Sequence, residues 1–155
     1  MKKIGFTIGK FAPFHKGHEY LIETGIKEMD EFYVVIYDTN LLEISSEKRA
    51  EWIKEIFPNV NILYAHNPPQ KIGLDVESVD IQMKYLSKII QNISVTHFYN
   101  SEKYGKYVAE YLNIIERNID MNRECVNISA TDIRNDIESK KDFLSECVYN
   151  DLKKK

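Results

Sequence analysis

The sequence predicts an α/β protein, a doubly wound sheet of about five parallel strands with helices on both faces. Two observations carry this expectation. Short β-branched or aromatic runs alternate with segments of helical period along the 155 residues. The run EFYVVIYD (31–38) is almost continuously apolar, as in a strand covered on both faces. With no linker, repeat or low-complexity stretch, residues 1–155 read as a single domain.

The elements follow in order. KKIGFTIG reads as a buried first strand. KGHEYLIETGIKEM places Tyr20, Leu21, Ile22, Ile26 and Met29 at helical spacings. After the second strand, SSEKRAEWIKEIF has Ser45 or Ser46 as N-cap and Ala50, Ile53, Ile56 and Phe57 as its stripe, and Pro58 stops it. NVNILYAH is a third strand and HNPPQKIG a loop. A helix over VESVDIQMKYLSKIIQN leads to a fourth strand, VTHFYN, and a helix capped by Ser101. IIERNID is a short fifth strand, SATDIRNDIES a helix capped by Ser129, and DFLSECVYNDLKKK a final helix.

Composition narrows the function. Apolar residues make up 43% and charged residues 29%, and the net charge is −3, which argues against a broad nucleic-acid footprint. Cys125 and Cys147 form neither a disulfide framework nor a C-x-x-C pair; they read as reduced thiols of a cytoplasmic protein. The N-terminal apolar stretch is too short for a signal peptide, and nothing approaches a membrane span of about 20 apolar residues.

In doubly wound sheets, ligands bind beyond the carboxyl ends of the strands. That places GKFAPFHKGH, DTNLLEISS, NSEKYG and NISATDIR around one crevice. Neither G-x-G-x-x-G nor G-x-x-x-x-G-K-[ST] is present. Instead His15-Lys16-Gly17-His18 lies at a loop-to-helix junction. Gly17 allows close approach of a ligand, the helix N-terminus favours an anion, and two imidazoles with Lys10 add donors. Phosphate chemistry, a metal site and a structural role all fit the pair. The metal reading lacks further ligands, so phosphate stands ahead of it. In ISATDIR, Ser129, Thr131 and Arg134 bring hydroxyls and a guanidinium to a second helix start. Read alone, that segment is more simply an ordinary capped helix with a solvated arginine, and it gains weight only beside the first motif.

Together, GKFAPFHKGH and ISATDIR resemble the nucleotidyltransferase superfamily, marked by (H/T)xGH and ISxTxIR motifs. The likeness is greatest to the nicotinamide mononucleotide (NMN) adenylyltransferase domain of bifunctional NMN adenylyltransferase/ribosylnicotinamide kinases. GKFAPFHKGHEYLI has their G-(K/R)-F-x-P-x-H-x-G-H form, and NSEKYG resembles their SSE-x-YG segment. The resemblance implies a Rossmann-like fold and transfer of an adenylyl group from ATP to NMN, with Mg²⁺ bridging phosphates and no dedicated metal ligands.

It also implies roles. His15, His18, Lys10 and Arg134 would be catalytic. Gly9, Phe11, Gly17, Ser101, Glu102, Tyr104, Ser129 and Thr131 would complete the nucleotide site. Asp38, Asn40, Arg49 and Trp52 are the acceptor-side candidates. Arg49 reads equally as a solvated helix residue; for Trp52, at helical spacing from Ile56 and Phe57, the core reading is the stronger one. The partners implied are ATP and a phosphorylated small molecule, without nucleic acid or membrane, in a homo-oligomer. A different acceptor, CTP in place of ATP, or a silent nucleotide sensor remain as alternatives.

Overall fold

The structure, a computed structural model, describes residues 1–70, 73–120 and 126–153. The reading of Cys125 lies outside them. Five strands are present among the described residues: β1 (Ile4–Gly9), β2 (Glu31–Tyr37), β3 (Asn61–Ala65), β4 (His97–Asn100) and β5 (Ile115–Asn118). They form one parallel sheet in the order β3-β2-β1-β4-β5, as the alternating pattern predicts. The order reverses between β1 and β4, so the switch-point crevice opens above those two strands.

The helices are α1 (Lys16–Glu28), α2 (Ser46–Ile56), α3 (Val76–Ile89), α4 (Gly105–Leu112), α5 (Ala130–Asn135) and α6 (Glu146–Lys153). The period of β2 divides them into two layers. Phe32, Val34 and Ile36 face one core with Leu21 and Ile22 of α1, Trp52 and Ile53 of α2, Ile133 of α5 and Val148 of α6. Val35 faces the other, with Met83 and Leu86 of α3 and Val108 of α4. Close packing of α1 on β2 depends on Gly25, where a Cβ would overlap the Phe32 ring. Tyr20 and Ile26, expected on the apolar stripe of α1, are instead exposed.

Three boundaries differ from the sequence expectation. The fourth helix is not capped by Ser101; it starts at Gly105, preceded by Tyr104. The reason is Asn100, whose Oδ1 accepts the Glu102 N–H at 3.0 Å and folds residues 101–104 into a turn. The fifth helix stops at Asn135, where Asp136 Oδ1 accepts the Ser139 N–H at 3.2 Å. The last helix begins at Glu146, after a 3₁₀ turn at Lys141–Phe143. Among the described residues, no helix is long and apolar enough to cross a membrane.

Candidate active site

The chain leaves β1 at Gly9 and enters α1 at His15, the N-cap. His15 is 3% exposed. Its Nδ1 accepts the N–H of Gly17 at 3.0 Å and of His18 at 3.4 Å, while His18 Nδ1 accepts the His15 N–H at 3.2 Å. This is a capping box with histidines in both positions. A ring nitrogen that accepts an N–H carries no proton, so each neutral imidazole holds its hydrogen on Nε2. The rings stack with centroids 3.7 Å apart. His18 also lies parallel to Phe14 and meets the edge of Phe11 at 4.8 Å. Phe11 takes φ +51°, a left-handed conformation that costs an L-residue energy and recurs at functional sites.

Gly17 makes room for a neighbouring ring. A Cβ there would lie 2.8 Å from His15 Cε1, so its lack of a side chain makes room for the capping ring. His18 lines the cleft above the sheet, whereas His15 and Gly17 are not among its lining residues.

Ser129 caps α5, accepting the Asp132 N–H at 3.2 Å. Arg134, one turn on, donates to the Ala12 carbonyl at 2.6 Å and to Thr131 Oγ1 at 3.2 Å. The second motif is thereby tied to the loop that precedes the first. Arg134 lines the cleft with Ala130; Ser129 and Thr131 support it from outside.

The cleft has a volume of about 950 Å³, within the range of small-molecule sites. Gly9, Lys10 and Phe11 line it beside β1, and Ser101, Glu102 and Tyr104 beside β4. The far wall carries Asp38 and Asn40, both anticipated, and the Asn67–Gln70 loop. Burial raises the Asp38 carboxyl, but the Asn67 N–H, the Ser46 hydroxyl and His66 outweigh it and hold the group below its ordinary value.

One acceptor-side candidate needs correction on both of its readings, and for a second the core reading holds. Arg49 neither faces the cleft nor is solvated: it is 1% exposed and bonded to the carbonyls of Lys10 and Tyr37 and to Ser46 Oγ. Trp52 is also 1% exposed and belongs to the core, where its Nε1–H donates to Asp151 Oδ2 at 2.7 Å. Sequence reasoning missed the loop after β3, which reaches the cleft because β3 pairs with β2. The Asn-Pro-Pro signal was legible, but not the strand order that brings it there. Gln82 of α3 and Tyr107 of α4 also line the cleft and carry no motif.

In its motifs and its fold this chain resembles the nucleotidyltransferase superfamily. Within it, the chain is similar to NadR. It is 31% identical over 153 residues to the trifunctional NAD biosynthesis/regulator protein NadR of Salmonella typhimurium, covering 86% of this chain and 36% of that protein. It therefore spans little more than a third of that relative's length. Residues 5–72 match the family model of the citrate lyase ligase C-terminal domain. The crystal structure of NadR with NAD and AMP-PNP superposes with a TM-score of 0.68 at 20% identity, over 95% of this chain and 46% of that one. A bifunctional NMN adenylyltransferase/ADP ribose pyrophosphatase from Francisella tularensis, complexed with AMP and a manganese ion, gives 0.65 at 21% identity, over 99% and 49%. These two structural likenesses speak to the fold.

Proposed function

We propose that this chain is a nicotinamide-nucleotide adenylyltransferase, joining ATP and NMN into NAD and releasing pyrophosphate. One observation carries the reading: His18 and Arg134, far apart in sequence, line the same cleft at the switch point of the sheet. Homology to NadR supports the direction of NAD biosynthesis.

An oxygen of the acceptor phosphate attacks the α-phosphorus in line. A new P–O bond forms, the bond to the β-phosphate oxygen breaks, and its electron pair leaves with pyrophosphate. Little covalent work falls to the protein, which contributes positioning and charge stabilisation. His18 donates from Nε2–H to the phosphate oxygens on which charge develops. His15 fixes His18 by capping and stacking. Lys10 and Arg134 draw the leaving β- and γ-phosphates, with Ser129 and Thr131 holding the arginine's helix. Gly9, Phe11, Ser101, Glu102 and Tyr104 border the adenosine, and Asp38 and Asn40 the acceptor. Mg²⁺ would arrive on the triphosphate and offset its charge; among the described residues no three His, Cys, Asp or Glu side chains gather as a cage for it.

A different phosphorylated acceptor is the second reading. It is favoured by the position of the one tryptophan, Trp52, in the core, away from the cleft. The test is pyrophosphate release from purified protein with Mg²⁺ and ATP or CTP, against NMN, nicotinate mononucleotide, phosphopantetheine and glycerol phosphate. Release with ATP and NMN alone is expected. Release with another pair keeps the mechanism and replaces the substrate, whereas ATP binding without release from any pair points to a sensor.

A further inference from the structure

Arg49 is a buried cation with no carboxylate in direct contact among the described residues, and its partners lie on both walls of the cleft. On one side, Nη1 donates to the carbonyl of Lys10, next to β1. That carbonyl belongs to the peptide joining Lys10 to Phe11, so holding it resists rotation about φ of Phe11, the residue in the left-handed region. Phe11 in turn meets the edge of the His18 ring. The same Nη1 donates to the Tyr37 carbonyl at the end of β2, at 2.9 Å.

On the other side, Nη2 donates to Ser46 Oγ at 3.0 Å, and Ser46 Oγ donates to Asp38 Oδ1 at 2.9 Å. Asp38 Oδ2 accepts the Asn67 N–H at 2.9 Å, and His66 Nδ1 lies 3.1 Å from Oδ1. A continuous hydrogen-bonded chain thus runs from the loop after β1 to the loop after β3. Arg49 Nε is buried with no hydrogen-bond partner among the described residues. An orphaned donor beside an indirectly balanced charge is costly. A residue serving stability alone would be better replaced by a well-packed apolar one. The cost is intelligible if the fork is needed to span two walls, which lysine's single nitrogen does not do.

We propose that Arg49 is a positioning residue for adenylyl transfer, setting His18 through Lys10 and Phe11 and the acceptor wall through Ser46 and Asp38. The inference rests on the transferase reading above, and its test has one readout that does not.

Two variants separate the branches. Ser46→Ala removes the hydroxyl that joins Arg49 Nη2 to Asp38 and leaves the Nη1 bonds to Lys10 and Tyr37 in place, so the acceptor KM rises about fivefold or more while the ATP KM stays within about twofold. Arg49→Lys loosens both walls: both KM values rise, and kcat falls about tenfold or more as His18 drifts. Amide hydrogen exchange without substrates supplies the independent readout. Arg49→Lys speeds exchange at Phe11 and Asn67, and Ser46→Ala at Asn67 alone.

A folded Arg49→Lys with unchanged kinetics and unchanged exchange at both loops overturns the proposal. So does a Ser46→Ala that raises both KM values equally or loosens both loops. Should Arg49→Lys fail to fold, the asymmetry of Ser46→Ala decides alone. A wild-type protein that releases no pyrophosphate with any pair removes the function, and the exchange pattern still decides whether Arg49 couples the loops.

Discussion

His15 and His18 hold one another through their own backbones. The ring of each accepts an N–H from the other's main chain, at 3.4 and 3.2 Å, and the two rings stack 3.7 Å apart. The helix start and the setting of the proposed phosphate donor, His18, are therefore one structure. Substituting His15 removes a cap as well as an imidazole, and the two losses can be separated. His15→Ala is expected to cost about 1 kcal/mol of stability through the cap and to lower kcat. His15→Asn restores a side-chain acceptor at the N-cap, so its unfolding midpoint should return towards wild type while kcat stays low. Denaturation and pyrophosphate release on the same samples check this; a kcat that returns with the midpoint would reduce His15 to a cap.

His18→Ala isolates the donor that faces the cleft. The N-cap at His15 survives, so the fold should persist. Turnover should fall by about 10²-fold or more, the scale of losing one oriented donor to a developing charge. Near-normal turnover would remove His18 from the chemistry.

Gly17→Ala places a methyl group 2.8 Å from His15 Cε1 and 3.0 Å from its Nδ1. The ring must move, and the His18 ring stacked on it moves as well. A displacement near 1 Å costs about 10²-fold in a positioned reaction. The expected outcome is a fall in kcat larger than any change in ATP affinity, read by steady-state kinetics alongside equilibrium ATP binding. Lost affinity at constant kcat would instead support the backbone-approach role that the sequence alone implies for Gly17.

The alternation of strands and helices was legible because strand period, helix stripe and punctuating Pro and Gly all agree along this chain. The two motifs were legible because their residues are consecutive and their neighbours carry the signal. Arg49 was misplaced for the opposite reason, whereas the core reading of Trp52 followed from its spacing to Ile56 and Phe57. Helical spacing says that Arg49 sits on α2, but only the turn of α2 against β1 and β2 buries it. Ser101 was misplaced as a cap because a neighbouring asparagine, Asn100, folds the chain into a turn first. The loop after β3 depends on strand order, which local pattern does not encode.

Arg134 ties the second motif to the first by donating to the Ala12 carbonyl at 2.6 Å. Arg134→Ala is expected to weaken ATP binding by about 10- to 100-fold, in keeping with one or two charge-assisted hydrogen bonds. Arg134→Lys should recover part of the charge but not the fork between Ala12 and Thr131. Titration of ATP into both variants checks the ranking. Unchanged ATP affinity and turnover in Arg134→Ala would leave the second motif as a helix cap only.

On the far side of β4, Glu28 at the end of α1 joins the helix to the sheet. Its carboxylate takes the Arg117 guanidinium at 3.0 and 2.8 Å and the Tyr99 hydroxyl at 2.5 Å. The Arg117 hydrogen bond first, then Tyr99, draws its pKa from 4.5 down to about 2. The unfolded chain takes up a proton at this group near the ordinary value, while the folded protein keeps it ionised. The contribution is therefore whole above about pH 4.5 and is lost as pH falls towards about 2. Glu28→Gln removes that dependence. Urea midpoints at pH 6 and pH 3 should fall less with acid in the variant than in wild type, because only the unfolded wild-type chain takes up a proton at this position over that range. Equal falls in both proteins would show that Glu28 does not set the acid limb, and the other depressed carboxylates, Asp38 and Asp136, would then be the groups to substitute.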